Sequence, residues 1–393
     1  MLAAYQQKLE NPQSDLYATF FVDRVKFQYP PSSLLLFDLF PRSMINLDEL
    51  SRLVGPLKRW LDNLSRVAVA LTVFASVLIL ERGLRRSTSD RPAPPAQMAA
   101  SFGLSLAVGL TFYPLLVGYF IGQIQVFLNA LLAAALLSHM MGRPALAGVC
   151  FGLCCLVKPQ YALVLLWSVL RRQWRFTAGL AGVLIPGLAI SITRFGLADH
   201  LRYLDVVREL SRVGEAFWFN QSVNGLLNRL LENGSALLAN PRVPSEFPPY
   251  HPVVYALTVL SSVAILALAL WPRRDAGRAA VGGSVLDLMV MLVAITMASP
   301  IAWNHHYGML LPIFAAVLPG LLYGRPLGRL TVPLLAFSYF ATANLLVLPE
   351  VIFRNRWVGV AGSHLFFGSL ILFGLLLALR AAPWDLQGSA AQS

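Results

Sequence analysis

The sequence predicts an all-α integral membrane protein, a polytopic bundle of about eleven transmembrane segments with further helices lying in the outer interface. Three observations carry that expectation. Of 393 residues, 57% are hydrophobic and 13% charged, and the mean hydropathy is +0.63. Apolar runs of roughly bilayer-spanning length recur from Leu64 to Leu379. A soluble domain of this length needs far more charge to cover its surface.

Residues 1–62 carry no basic-then-apolar signal-peptide pattern, and Asp15, Asp23, Arg24 and Lys26 interrupt them. This stretch is expected in water or at the interface, with Leu34 to Phe40 forming short interfacial helices. Residues 63–196 form an N-terminal transmembrane bundle of six apolar segments: 64–80, 99–120, 123–141, 144–157, 160–171 and 176–196. The fourth and fifth are short and predict a broken or re-entrant pair, allowed where protein shields the backbone. A flexible tether is expected around Arg91 to Pro95. A long loop, 197–251, follows; Leu201, Leu204, Val207 and Leu210 recur there at helical spacing. Its far end, Pro241 to Pro252, is proline-rich and expected to be irregular. Residues 252–381 form a C-terminal bundle with segments 252–271, 284–300, 305–323, 330–347 and 363–380. A disordered cytoplasmic tail, 382–393, is expected to end the chain.

Orientation follows from basic residues at short loops. Arg82, Arg85, Arg86 and Arg91, then Arg143, then Arg171, Arg172 and Arg175, then Arg273, Arg274 and Arg278, then Arg325 and Arg329, and finally Arg380 collect on one side. That side is expected to be cytoplasmic, because the short loops opposite contribute only Lys158, Arg354 and Arg356. The N-terminus is then outside and the C-terminus inside, and one transmembrane helix is expected to be missing ahead of Met1. The net charge of +12 is accounted for by topology and anionic lipid, with no nucleic-acid partner implied.

Polar, chemistry-bearing residues concentrate on the outer side of this map. They include Asp15; Tyr29 with Pro30 and Pro31; Gly122-Gln123; Lys158-Pro159; and Asn220-Gln221-Ser222. The densest cluster runs from Ser299 through Trp303, Asn304, His305 and His306 to Tyr307. Adjacent imidazoles at a membrane edge can hold a phosphate, a sugar hydroxyl or a proton. The bland readings are that His305 and His306 anchor a helix start, that Lys158 snorkels to water, that Gln123 bonds a neighbouring helix, and that Asn220 and Gln221 cap a turn or helix. Asp287, near the cytoplasmic end of its span, reads as a helix-end acid. No lysine follows a glycine in a phosphate-loop pattern, and neither His-Glu-x-x-His nor Asp-x-Asp occurs. Cys150, Cys154 and Cys155 share an apolar segment and read as packing residues rather than metal ligands or a disulfide.

Taken together, Phe27-Gln-Tyr-Pro-Pro31, Gly122-Gln123, Leu156-Val-Lys-Pro159 before Arg171-Arg-Gln-Trp174, Asn220-Gln-Ser222, and Ser299-Pro300 with Trp303 to Tyr307 resemble glycosyltransferase family 87. This is a bacterial group of the GT-C class that includes polyprenyl-phosphomannose-dependent mannosyltransferases. Order and topology match along nearly the whole chain. The resemblance implies a GT-C-type bundle in the bacterial inner membrane with an extracytoplasmic active site. There a hexose, mannose-like, passes from a polyprenyl phosphate donor to the hydroxyl of a lipid or glycan acceptor. In this class an acid of the first outer loop acts as base; the chain opens inside that loop, and of the acids left there Asp15, before Leu16 and Tyr17, is the candidate.

A polyprenyl phosphate sugar already carries a good leaving group, so the enzyme needs a base for the acceptor and cations for departing charge. On that basis the candidate catalytic residues are Asp15, His305 and His306. Lys158, with Arg202 or Arg208 as further cations, is a phosphate ligand, and Tyr29, Gln123, Asn220, Gln221, Trp303 and Asn304 are candidate sugar or substrate contacts. No metal and no organic cofactor is called for. Two other functions fit parts of the pattern: a secondary transporter, which should place ionisable groups near the bilayer midplane in paired segments, and a lipid-binding homologue that has lost catalysis.

Overall fold

The structure, a computed structural model, describes residues 1–18, 27–45, 55–87, 95–234, 247–271, 281–323, 327–344 and 360–381. Asp23, Arg24, Lys26, most of the Arg91–Pro95 tether, the loop arginines Arg273, Arg274, Arg278, Arg325, Arg354 and Arg356, and the 382–393 tail lie outside these residues. Among the described residues the fold is helical, with no strand and a single isolated bridge between Asn220 and Trp303. Five helical stretches among the described residues are long and apolar enough to cross a membrane: Pro56–Arg85, Trp174–Phe195, Pro252–Leu270, Asn304–Leu322 and His364–Ala381.

The described residues form fifteen α-helices: α1 (Leu2–Glu10), α2 (Pro56–Ser87), α3 (Pro95–Leu110), α4 (Tyr113–Phe120), α5 (Gln125–Met140), α6 (Pro144–Val157), α7 (Val164–Leu170), α8 (Trp174–Phe195), α9 (Leu197–Val213), α10 (Val223–Leu230), α11 (Pro252–Leu270), α12 (Val281–Ala298), α13 (Leu310–Tyr323), α14 (Thr331–Ala343) and α15 (His364–Ala381). Tight 3-10 turns at Pro31–Leu39, Pro159–Leu163 and Asn304–Met309 supplement them. Proline opens several elements at its favoured first-turn position, as at Pro31, Pro114, Pro144, Pro159 and Pro252. The segment expected to run unbroken over 99–120 is two helices, α3 and α4, separated at Thr111-Phe112; Pro114 lacks the N–H that a continuing helix would use. The first span begins at Pro56 rather than residue 63, so α2 absorbs the end of the expected outer loop.

α12 is the axis of the bundle: from Val285 to Ala298 every residue is buried. A helix apolar on all sides is stable only inside such a bundle. By contrast α8 and α11 leave most of their apolar side chains exposed, Ile185, Ile190, Leu260 and Val263 among them, and form the faces suited to lipid. The short pair expected at 144–171 is an antiparallel hairpin of α6 and α7 with its tip at Lys158-Pro159. α6 packs against α8 with almost no spacing. A Cβ on Gly148 would lie 2.0 Å from the Phe176 carbonyl oxygen, and one on Gly179 2.0 Å from that of Ala145. Gly148 and Gly152 stand four apart, the small-residue pattern that lets membrane helices approach closely.

The two ends of the bundle differ chemically. At one, Asp287 of α12 is buried against Arg171 Nε at 3.1 Å and Arg380 Nη1 at 3.6 Å, and both arginines also donate to the α11 terminus at Leu268, Ala269, Leu270 and Trp271. Asp287 therefore locks four helix ends together. The opposite end carries an added unit with its own apolar core, in which Tyr5, Leu16, Tyr17, Phe27, Leu34 and Phe37 pack on Phe195, Val206 and Leu210. A buried ion pair, Lys8 Nζ to Asp199 Oδ2 at 2.6 Å, ties α1 to α9. Gly196 and Gly214, both at positive φ, bound α9. The helix expected from Leu201, Leu204, Val207 and Leu210 exists, but those residues divide: Leu201, Leu204 and Val207 are exposed and Leu210 is buried, because Asp199, Val206 and Val213 share the inward face.

Gly179→Val should drive a side chain into the Ala145 carbonyl and lower stability by ~1–3 kcal/mol. Gly182, with nothing within 4 Å of its Cβ position, supplies the control on the same helix. Thermal unfolding in detergent should show a clearly lower midpoint for Gly179→Val than for Gly182→Val.

Candidate active site

The α6–α7 hairpin tip, the turn before α5, the 299–306 segment and the added unit line an open-mouthed cavity of about 430 Å³. Its polar lining is Gln28, Tyr29, Gln123, Lys158, Gln160, Tyr203, Ser211, Ser299, Trp303, His305 and His306, and Val157, Leu163, Leu266 and Ile295 are among its apolar walls. Six residues singled out in the sequence therefore meet here: Tyr29, Gln123, Lys158, Trp303, His305 and His306. Among the described residues no carboxylate lines it.

Lys158 is the C-cap of α6 and is held where it is because Pro159 cannot continue the helix. Its Nζ lies 2.7 Å from Gln125 Oε1 and 2.6 Å from His306 Nε2. Gln125 Nε2 in turn donates to Asn129 Oδ1 at 3.0 Å and to the Tyr161 hydroxyl at 3.2 Å. His305 and His306 rings stand edge to face, centroids 4.7 Å apart, and Trp303 meets His305 at 5.8 Å. Lys158 is thus no snorkelling surface residue; its side chain is drawn inward by neutral acceptors.

Tyr29 is placed by the added unit. Tyr17 donates to its carbonyl at 2.7 Å, Pro30 and Pro31 open the 31–39 turn after it, and Ser32 Oγ donates to the Leu156 carbonyl at the hairpin tip at 2.6 Å. The Tyr29 hydroxyl reaches Gln123 Oε1 at 3.5 Å. Burial pushes the Tyr29 phenol up to about 12. Burial first, and then proximity to Tyr29, raises that of Tyr203. Both therefore face the cavity as neutral hydroxyl donors at physiological pH.

Four expected site residues stand elsewhere. Asn220 is fully buried: its amide donates to the Glu215 and Pro300 carbonyls at 2.9 and 3.0 Å and accepts from Ala302 N at 2.9 Å. Gln221 donates to Trp218 and Gly362 carbonyls and accepts from Leu365 N and Phe366 N at the start of α15. Both amides are consumed in joining the 217–222 segment to the 300–304 segment and to α15, so neither lines the cavity. The Asn304 amide donates to the Tyr113 hydroxyl at 3.1 Å and is likewise outside the lining. Asp15 is on the outer shell of the added unit: Oδ1 accepts from Tyr17 N at 2.9 Å, and Oδ2 is 3.5 Å from Arg202 Nε, with both side chains more than two-fifths exposed. Arg202 and Arg208 pair with Asp205 at 3.5 and 3.3 Å rather than facing the cavity. Gln125, Asn129, Gln160 and Tyr203 were not among the residues singled out. The signal for the first two was present: a polar pair four residues apart in an otherwise apolar helix. Glu215, which accepts from the Trp303 indole N–H, had no such signal.

The family model for glycosyltransferase family 87 matches residues 27–300, which contain the hairpin tip and most of the cavity wall. The chain belongs to glycosyltransferase family 87. It is 26% identical over 377 residues to a polyprenol-phosphate-mannose-dependent alpha-(1-2)-phosphatidylinositol mannoside mannosyltransferase of Mycolicibacterium smegmatis, covering 91% of this chain and 78% of that protein. It is 25% identical over 328 residues to a polyprenol-phosphate-mannose-dependent alpha-(1-2)-phosphatidylinositol pentamannoside mannosyltransferase of Mycobacterium tuberculosis, covering 82% of this chain and 66% of that protein. Family membership and the apolar helices make this chain a membrane glycosyltransferase, with this cavity as its candidate active site.

Removing a residue that bonds loops and removing one that faces the cavity should differ in kind. Asn220→Ala leaves the buried Ala302 N–H without its acceptor and takes one donor from the Glu215 and Pro300 carbonyls, the latter keeping Ser222 Oγ, and should cost about 1–3 kcal/mol for a group left unsatisfied, read as a lower thermal midpoint. Gln123→Ala should leave the midpoint unchanged and raise the KM for a sugar substrate.

Proposed function

We propose that the protein transfers a mannose-like hexose from a polyprenyl phosphate donor to a hydroxyl of a lipid-linked glycan acceptor, of the phosphatidylinositol mannoside type, at the extracytoplasmic face of a bacterial inner membrane. The single observation that carries this is a buried lysine–histidine pair, Lys158 and His306, at a cavity whose lining mixes apolar side chains with tyrosine and serine hydroxyls. In the same proposal all eleven apolar segments cross the bilayer as a GT-C-type bundle, and the arginine end around Asp287 is cytoplasmic, which puts the cavity outside.

Cleavage of the donor's anomeric C–O bond leaves charge on the phosphate, and preorganised cations and donors aimed at that charge lower the barrier. Lys158 brings the cation and His306 an imidazole beside it; Tyr29, Tyr203 and Gln123 suit sugar hydroxyls and phosphate oxygens, and Trp303 offers a face for the apolar side of a sugar ring. Because lysine supplies the charge and phosphate is already a good leaving group, the transfer proceeds without a metal or an organic cofactor. The acceptor hydroxyl needs a base. Asp15 is assigned that part from the family resemblance alone; in the structure it pairs with Arg202 on the outer shell of the added unit, outside the cavity lining.

Purified protein in lipid nanodiscs should transfer labelled mannose from polyprenyl phosphate mannose to a phosphatidylinositol mannoside. Lys158→Ala should cut kcat/KM by ~10²-fold or more while the protein stays folded, as removal of one charge-stabilising donor does. Asp15→Asn should cost ~10²-fold or more in kcat, the scale of general base catalysis. An Asp15→Asn loss of only a few-fold would return Asp15 to an ion-pair role with Arg202, and wild-type protein that transfers no mannose would overturn the donor assignment.

A further inference from the structure

We propose that Gln125 and Asn129 are positioning residues that give the active-site hydrogen bonds a single direction, so that Lys158 and His306 face the cavity only as donors and form an anion site. The proposal deepens the function proposed above, since the anion it serves is the donor's phosphate. The bonds form a ring that begins and ends in neighbouring residues. Asn129 Nδ2 donates to the His305 carbonyl at 3.2 Å, Gln125 Nε2 to Asn129 Oδ1 at 3.0 Å, and Lys158 Nζ to Gln125 Oε1 at 2.7 Å; Lys158 Nζ then meets His306 Nε2 at 2.6 Å.

A backbone carbonyl can only accept, so the His305 carbonyl fixes which way the Asn129 amide points. Asn129 Oδ1 can then only accept from Gln125, which turns Gln125 Oε1 toward Lys158. An ammonium has three donors and no acceptor. Lysine is intrinsically about four pH units more basic than imidazole; burial lowers Lys158 to about 7, but the imidazole buried beside it loses basicity for the same reason, so the shared proton stays on Lys158 and His306 Nε2 accepts. His306 is thereby held as the tautomer protonated at Nδ1, and that nitrogen is buried without a partner among the described residues. Gly308 leaves room for the arrangement: a Cβ there would lie 2.1 Å from Asn129 Nδ2. Gln125 and Asn129 are both fully buried, so water does not substitute for either. With Nε2 occupied, His306 has no lone pair for the acceptor's proton, and it serves as a hydrogen-bond donor rather than as a base.

The direction of the ring makes a prediction that packing alone does not. Gln125→Glu preserves shape and the bond to Lys158 but places a carboxylate against the ammonium, cancelling the charge offered to the cavity. Binding of farnesyl phosphate and of uncharged farnesol to the full-length protein in detergent, followed by calorimetry, separates the two roles. Wild type should bind farnesyl phosphate more tightly than farnesol. Gln125→Glu should lose at least about tenfold for the phosphate and bind farnesol as wild type does. Should Gln125→Glu fail to fold, judged by its thermal midpoint, Asn129→Asp tests the same ring, because its carboxylate cannot donate to the His305 carbonyl, and the same selective loss is expected. Wild-type protein that does not prefer the phosphate, or variants that keep phosphate binding or lose both ligands equally, would overturn the inference. Wild type that binds farnesyl phosphate in the expected way yet transfers no mannose would leave the ring standing and remove only the proposed function.

Discussion

The structure is organised around one buried ammonium, that of Lys158. Bringing a cation into an apolar bundle costs several kcal/mol after relaxation, and among the described residues no carboxylate contacts it to offset that cost. It is held by a neutral amide and a neutral imidazole, Gln125 and His306, which stabilise charge without cancelling it. That choice constrains three separate pieces of chain. α5 must begin with its polar pair buried behind Lys158, α6 must stop at Lys158, and the 304–309 turn must bring His306 across. Pro159 and Gly308 are the local devices that let the last two happen.

The opposite end of the bundle shows what a purely structural charge looks like in the same protein. Asp287 is buried too, but two arginines surround it, and each of them also satisfies carbonyls at the end of α11. Charge there is compensated, and its effect is to hold four helix ends in place. At the cavity end charge is left available. A membrane protein bears the cost of an uncompensated ion chiefly where a ligand of opposite charge completes the site, and this asymmetry distinguishes the two ends more sharply than their residue types do.

The added unit roofs the cavity and is built by different rules. It has its own apolar core, a buried Lys8–Asp199 pair and a helix, α9, framed by two glycines at positive φ. Through Tyr17, Ser32 and the Pro30-Pro31 step it positions Tyr29 above the hairpin tip, and α9 brings Tyr203 beside it. The tyrosines Tyr29 and Tyr203 and the cation Lys158 of the site thus come from different structural units, the added unit and the helical bundle.

Hydrophobic patterning is local, and so the helical membrane class, the broken 144–171 pair and nearly every apolar segment were legible along the chain. Lys158 and the His305-His306 pair were legible as well, because an ionisable group in an apolar run is costly and therefore conspicuous. Proline placement hinted at, but did not reveal, the break between α3 and α4. Hydrogen-bond partners are not local. Asn220 and Gln221 looked like sugar ligands until their amides were found spent on Pro300, Ala302, Gly362 and Leu365, and Gln125 acquired its meaning only when α6 set Lys158 against it. The sequence by itself determined the solvent for which this protein is built and where its charges are unusual. Only the tertiary structure decided which polar groups are satisfied by protein and which are left for a substrate, because that depends on contacts between residues far apart in the chain.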